Sequence, residues 1–330
     1  MTHRVYVDGP IHGEALGLLR DAVEVVPSFG VGAVEMGAAL PKVDAVLVRT
    51  ARLGAQDIGR ARSLRVIARH GVGVDNIAVE AAARRGIPVL ITPGANLRSV
   101  AEHVFALALA VGRNLPRADR YVREGRFAAR DGLLGRELFG ASLGIVGLGR
   151  IGAEVARMAT GGFGMRVLGH DPFLSPDGIR AAGAEPAGSL PDLLGACDLV
   201  TVHVPLSEAT RGLLGRRELT SMRPGSVLIQ TSRGGVVDEE ALTGALRSGP
   251  LAAAGIDVFE NEPPPDDHPF FSLDNVVLTP HTAALTEQAM RRMALDAARG
   301  ILDVLAGADP HNPPEGAAWQ VFDPGPATAP

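Results

Sequence analysis

The sequence predicts an α/β protein made of two doubly wound parallel sheets. Two patterns carry that prediction. Short apolar runs alternate with helical patterns along most of the chain, which favours parallel strands joined by helical crossovers. Residues 142–171 add a compact succession of strand, glycine turn, helix, strand and carboxylate. That succession is the opening βαβ unit of a dinucleotide-binding sheet.

This middle stretch organises the rest. It opens with Leu143-Gly144-Ile145-Val146 and turns through Gly147-Leu148-Gly149-Arg150-Ile151-Gly152. Gly147 is expected to allow a tight turn and Gly149 to let the backbone approach a pyrophosphate. Gly152 is expected to bring the helix close to its strand. The helix start offers free N–H groups and a positive dipole end to phosphate oxygens. A second apolar run ends at Asp171, nineteen residues past Gly152, where a carboxylate can accept the ribose hydroxyls. A 2′-phosphate would meet that like charge, and no arginine follows until Arg180, so NAD is expected over NADP.

Composition narrows the class. The chain has 330 residues, enough for about two domains whose cores need no covalent staples. Lys+Arg (32) nearly balance Asp+Glu (37), and no basic tail or stripe occurs, which argues against nucleic acid as a partner. The longest apolar run, 104–111, is far short of the ~20 residues that span a bilayer, so no membrane association is expected. The first residues enter a strand-like run with no signal-peptide core, and Cys197 is the single cysteine, so a cytoplasmic protein is expected. Cys197 itself reads as a small buried hydrophobe. Lys42 is the only lysine and sits in a loop after Pro41, a poor place for P-loop or Schiff-base chemistry. No metal site is expected.

In the first part, apolar runs at 5–7, 45–48, 66–68 and 89–91 read as strands, with helical patterns at 14–22, 55–61 and 79–85. Gly71-Val72-Gly73 turns the chain just past the run 66–68, at the carboxyl end of a strand, where ligands sit in such sheets. Thr92-Pro93-Gly94 marks a crossover, and a helix over 99–111 follows with Asn96 as its cap. Residues 113–140 are richer in charge and read as a helix and loop reaching away from the core. From Ser142 onward six strands are expected, at 143–146, 166–170, 199–203, 227–231, 253–258 and 276–279. An amphipathic helix over 291–305 is expected to return to the first domain, and the Pro-, Gly- and Ala-rich stretch 309–330 to be extended or frayed.

Three groups in the second unit can do chemistry. Arg233, Glu262 and His281 each stand at or beyond the end of a strand, and those strands follow one another in sequence. A guanidinium can grip an anion, a carboxylate can support an imidazolium, and an imidazole can move a proton near neutral pH. Together they would open onto the edge where a nicotinamide lies in such a sheet.

From about Ala45 to Asn312 the chain resembles the D-isomer-specific 2-hydroxyacid dehydrogenase family, in its phosphoglycerate-dehydrogenase-like branch. The motifs that carry this are Arg69-His70-Gly71-Val72-Gly73-Val74-Asp75-Asn76, Ser99-Val100-Ala101-Glu102-His103, the glycine turn, and His203-Val204-Pro205-Leu206. Ser232-Arg233-Gly234, Asp257-Val258-Phe259 with Glu262-Pro263, and Thr279-Pro280-His281 complete them. The resemblance implies a Rossmann NAD-binding domain and a flavodoxin-like substrate domain with a cleft between. It also makes the substrate domain discontinuous, 1–96 and 286–330, around an NAD-binding domain at 97–285.

By the same resemblance Arg233, Glu262 and His281 are the catalytic set. Gly147, Gly149, Arg150, Ile151, Gly152, Asp171, Val204, Pro205, Thr231, Ser232, Asp257 and Ala283 would serve the cofactor. The backbone of Val72 and Gly73, with Arg233, would hold the substrate carboxylate. Arg49 and Arg69, at two strand ends, match positions that serve a phosphate in phosphoglycerate-dehydrogenase-type members, and His70 could add a donor there. The implied activity is hydride transfer between NAD(H) and C2 of a small D-2-hydroxy acid or 2-oxo acid, one with a second anionic group. A homodimer is implied too, and no regulatory domain is expected after the core. Two alternatives stay open: a hydroxypyruvate or glyoxylate reductase with a neutral-tailed substrate, and an NAD-sensing, corepressor-like binding protein of the same fold. Gln230, where asparagine is common, and Thr282-Ala283-Ala284 depart from the family pattern and bear on substrate preference.

Overall fold

The structure is a computed structural model and describes residues 2–323. The chain divides into two compact units. One comprises the residues up to Asn96 together with those from Leu285 onward; the other is Leu97–Ala284.

The first unit holds β1 (Arg4–Val7), β2 (Glu24–Pro27), β3 (Ala45–Val48), β4 (Val66–Arg69) and β5 (Val89–Ile91). They pair in parallel in the order β5-β4-β3-β1-β2, a flavodoxin-like sheet. Helices cover both faces, so the central strands carry apolar residues at successive rather than alternate positions, with Arg4 and Arg69 only at strand ends. Val5, Val7, Ala45 and Leu47 pack with Ala294, Ala297, Ala298 and Ile301 of the helix Glu287–Leu305. The intervening Tyr6, Val46 and Ile67 face the opposite layer with Leu40, Ile58 and Ala82. β2 was not among the expected strands. Its sequence is Glu-Val-Val-Pro, and a terminal proline is tolerated because β2 is an edge strand.

The second unit holds β6 (Ser142–Val146), β7 (Arg166–His170), β8 (Glu185–Pro186), β9 (Leu199–Val202), β10 (Val227–Gln230), β11 (Ala253–Ile256) and β12 (Val276–Leu278). All pair in parallel, in the order β8-β7-β6-β9-β10-β11-β12. The order reverses between β6 and β9, the switch point at which ligands bind in open sheets of this kind. The sheet has seven strands where six were expected, because the edge strand β8 is only two residues long. Cys197 is fully buried among Leu193, Val200 and their neighbours, and burial pushes its thiol up to about 11. The helix Leu115–Arg123 and the 3₁₀ helix Phe127–Leu133 bury none of their side chains.

Of the two forms expected for the stretch after Asp309, extended or frayed, its described residues show an ordered one with a short extended strand. Rather than fraying, it docks back on the first unit. Trp319 is 1% exposed, and its Nε1–H donates to Asp303 Oδ2 at 2.8 Å. Gly300 makes the notch: a Cβ there would stand 2.9 Å from Trp319 and 2.8 Å from Leu90. The short strand β13 (Gln320–Val321) then pairs antiparallel with β5. The expectation for residues 324–330 lies outside the described residues. No helix among the described residues is long and apolar enough to cross a membrane.

Candidate active site

The glycine turn between β6 and the helix Arg150–Phe163 is shaped for a phosphate-bearing ligand. Gly147 has φ +90°, and a Cβ there would meet Val204 and the His203 carbonyl group at 2.8–3.1 Å. A side chain at Gly152 would run into the Gly147 carbonyl oxygen, so the helix can close onto its strand only with glycine. Gly149, between them, has no protein atom within 4 Å of its Cβ position. The turn is therefore tight on the protein side and open outward. The N-cap of this helix is Gly149, which has no side chain to cap the helix start.

Asp171 follows β7, and its carboxylate is already oriented. Oδ2 accepts from Leu148 N–H at 2.9 Å and Oδ1 from Phe173 N–H at 3.0 Å. Each oxygen keeps capacity for a further donor. Val204 and Pro205 follow β9. Thr231 follows β10, and its buried Oγ1 has no hydrogen-bond partner among the described residues. An open glycine turn, a ribose-ready carboxylate and an orphaned hydroxyl at the carboxyl edge of one sheet fit a dinucleotide. Asp171 supports a preference for NADH over NADPH by roughly 10–100-fold in kcat/KM, the scale of one or two charge-assisted contacts. Equal values for the two cofactors would refute this.

Arg233, Glu262 and His281 follow β10, β11 and β12, at the same carboxyl edge. His281 Nδ1 lies 2.8 Å from Glu262 Oε2. Glu262 Oε1 accepts from Phe259 N–H at 3.1 Å, so both carboxylate oxygens are held. Burial pushes the Glu262 carboxyl up, but the His281 bond and charge, the Phe259 N–H and the Arg233 charge together bring it below the usual range. The carboxylate thus stays ionised at neutral pH and pins Nδ1, which leaves Nε2 as the ring's working atom. The Glu262–Pro263 peptide is cis.

His281 has φ +53°, an uncommon backbone conformation for a non-glycine residue. Asp257 holds it there. The Asp257 carbonyl accepts from His281 N–H at 2.8 Å, and its carboxylate accepts from Thr282 N–H at 2.8 Å and Ala283 N–H at 3.0 Å. Gln230 performs a similar service for Arg233. Its amide donates to the Arg233 carbonyl at 2.8 Å and accepts from the Ser232 hydroxyl at 3.0 Å. Gly234 lets this turn pack against the Phe259 carbonyl, a place no Cβ could occupy. The departure Gln230 therefore acts as a clasp on the arginine turn.

In the first unit, Arg49 follows β3 and Arg69 ends β4. Asp8 Oδ2 accepts from the backbone N–H groups of Arg49, Thr50 and Ala51 at 2.6–3.1 Å, and Arg49 Nη1 donates to the Pro10 carbonyl at 3.0 Å. Arg69 Nε donates to the Gly73 carbonyl at 2.6 Å, and its Nη1 to the Arg49 carbonyl. Arg69 thus ties the Gly71–Val72–Gly73 turn to the end of β3. Val72 stays 37% exposed on that turn. His70 is buried, and burial first, then the Arg49 and Arg69 charges, push its imidazole down to about 4. It is neutral at physiological pH. Sequence reasoning missed His103, whose role is taken up below. Its position in the Ser99-to-His103 motif was the only available signal, because its partners are remote in sequence.

A doubly wound sheet with an open glycine turn, a backbone-held carboxylate and an acid-paired imidazole along one edge is the architecture of an NAD-binding domain. The chain belongs to the D-isomer-specific 2-hydroxyacid dehydrogenase family, whose NAD-binding-domain model matches residues 105–283. It is 41% identical over 311 residues to a D-3-phosphoglycerate dehydrogenase of Archaeoglobus fulgidus, covering 94% of this chain and 58% of that protein. It is 41% identical over 298 residues to a hydroxypyruvate reductase of Thermotoga maritima, covering 89% of this chain and 95% of that protein. A D-lactate dehydrogenase from Aquifex aeolicus, solved with NAD and lactic acid, matches with a TM-score of 0.80 at 29% identity, over 92% of this chain and 96% of that one. The chain spans little more than half the length of the phosphoglycerate dehydrogenases it matches.

Proposed function

We propose that this chain is an NAD-dependent dehydrogenase that interconverts a small 2-oxo acid and the corresponding D-2-hydroxy acid. The observation that carries the reading is the His281–Glu262 pair, 2.8 Å apart at the carboxyl edge of the dinucleotide-binding sheet. The bound nicotinamide supplies or accepts the hydride at C2. His281 handles the proton. With Nδ1 committed to Glu262, the imidazolium donates from Nε2 to the growing alkoxide during reduction, and neutral Nε2 takes that proton back during oxidation. Arg233 provides a fixed cation for the substrate carboxylate and the polarised carbonyl. Thr231, Ser232, Val204, Pro205 and Ala283 line the cofactor's path in this reading, with Arg150 and Ile151 beyond the glycine turn. Asp257 serves it chiefly by holding the loop on which His281 sits.

The substrate class follows from Arg49, Arg69, Val72 and Gly73. The backbone of the Val72–Gly73 turn binds one carboxylate. Arg49 and Arg69 favour a second anionic group, such as the phosphate of phosphohydroxypyruvate or a phosphonate. Arg69's bonds to the Gly73 and Arg49 carbonyls favour the other reading, a neutral-tailed acid such as hydroxypyruvate, with Arg69 as a brace. NADH oxidation against a panel of 2-oxo acids separates the two. In the first case Arg49→Ala costs a doubly anionic substrate about 10–100-fold in kcat/KM and hydroxypyruvate little. Equal losses on both, or a wild type that prefers hydroxypyruvate, remove the second anion and leave the reaction class. Absence of turnover on every acid, with NADH still bound, would favour an NAD-sensing binding protein.

The assembly in this reading is a cytoplasmic homodimer. Leu115, Val122, Phe127, Leu134 and Phe139 are 52–91% exposed in one charge-rich segment, more apolar surface than one short stretch ordinarily leaves to water. A monomeric mass by light scattering at micromolar concentration would rule the dimer out.

A further inference from the structure

His103 lies on the helix Leu97–Gly112, in the same unit as His281, and takes no part in the chemistry above. Its Nε2 is 3.0 Å from Thr279 Oγ1 and 3.5 Å from Asp257 Oδ1. Thr279 Oγ1 is in turn 2.5 Å from Asp257 Oδ1. Asp257 is fully buried; burial pushes its carboxyl up, but bonds from His103, Thr279, Thr282 and Ala283 outweigh that and hold it below the usual range. An ionised carboxylate only accepts, so the single Thr279 proton goes to Asp257. The Thr279 oxygen must then accept from His103, which places the imidazole proton on Nε2.

The run of bonds ends at the loop that carries His281. Asp257 Oδ1 takes the Thr279 hydroxyl and the Thr282 N–H, Oδ2 takes the Ala283 N–H, and the Asp257 carbonyl takes the His281 N–H. Residues on both sides of His281 are therefore tied to one buried aspartate, which holds the uncommon positive φ of the residue between them. The aspartate's own orientation needs an anchor outside that loop, and the helix supplies it. We infer that His103 is a positioning residue for His281, acting through the Thr279 hydroxyl and the Asp257 carboxylate. Without its N–H, the Thr279 hydroxyl loses a donor, Asp257 can rotate, and the His281 imidazole drifts from the angle at which Nε2 meets substrate. A small misplacement of a proton-transfer group is costly in rate while cofactor binding is spared.

The kinetic part of the test rests on the reaction proposed above; a second part does not. With hydroxypyruvate and NADH as probes, His103→Leu should lower kcat by about tenfold or more and leave the Kd for NADH within about twofold. His103→Gln keeps an N–H that can reach the same hydroxyl and should recover kcat to within about threefold of wild type. Thr279→Val should reproduce the His103→Leu loss, and the double variant should add little to either. Independently of turnover, imidazole ¹⁵N NMR of the wild-type protein should show His103 protonated on Nε2 at neutral pH. The His281 ring resonances should move in His103→Leu and return in His103→Gln. A wild type that reduces no 2-oxo acid would sink the reaction and leave these resonances to judge the inference. A His103 ring with Nε2 unprotonated, or His281 resonances unmoved in His103→Leu, would overturn it. So would a His103→Gln variant as impaired as His103→Leu.

Discussion

His281→Ala should lower kcat for 2-oxo acid reduction by roughly 10²–10⁴, with NADH affinity little changed. The size follows from what the site lacks without the ring. Glu262 is the nearest other acid–base group, but its carboxylate is held below the usual range and has no proton to give at neutral pH. Its Oε1 is also committed to Phe259 N–H. Glu262→Gln tests the pair from the other side. A neutral glutamine lacks the charge that favours the imidazolium, so kcat for reduction should fall, and any acid limb set by the Glu262 carboxylate should be lost. On the acid side, the wild-type pair survives until pH drops through the depressed Glu262 value, below the ordinary carboxylate range. A near-normal kcat in His281→Ala would remove that residue from the proton role, and an unshifted profile in Glu262→Gln would make Glu262 structural.

Arg233→Ala should cost roughly 10²–10³ in kcat/KM, divided between a raised KM for the 2-oxo acid and a lowered kcat. The guanidinium is asked both to bind the substrate carboxylate and to polarise the carbonyl, so both constants should respond. Arg233→Lys should recover little, since an ammonium lacks the fork that meets a carboxylate bidentately. The turn itself should survive, because Gln230 bonds the Arg233 backbone and Gly234 packs on the Phe259 carbonyl, neither through the arginine head. Unchanged NADH affinity would show that the loss is local. A KM and kcat both within about threefold of wild type would assign Arg233 to the Ser232 carbonyl it touches, not to substrate.

Much of this was legible in sequence because the relevant chemistry is local. Gly152 is demanded by the Gly147 carbonyl of the same turn and Gly147 by its own positive φ, so their spacing announces the turn. Arg233, Glu262 and His281 could be placed because each follows an apolar run, and parallel strands put their carboxyl ends on one edge. What was missed depends on partners distant in sequence. His103 meets Thr279 across 176 residues, and nothing in either neighbourhood announces the other. Arg69 stands at a strand end as read, but its bonds to the Gly73 and Arg49 carbonyls depend on side-chain direction, which sequence position does not set. β2 and β8 end in proline and lie at or near sheet edges, where strand signals are weakest. The stretch after Asp309 looked extended or frayed by composition, and one tryptophan facing a glycine notch anchors its described part.

In the proposed reaction, hydride passes directly between the nicotinamide and C2 of a 2-oxo acid. Incubating the wild-type protein with hydroxypyruvate and NADH deuterated at both C4 positions tests it in one step. Deuterium is expected at C2 of a hydroxy acid of D configuration, formed in step with NADH consumption and lost in His281→Ala. An L product, an unlabelled product, or bound NADH that is never consumed by this or any other 2-oxo acid would contradict it.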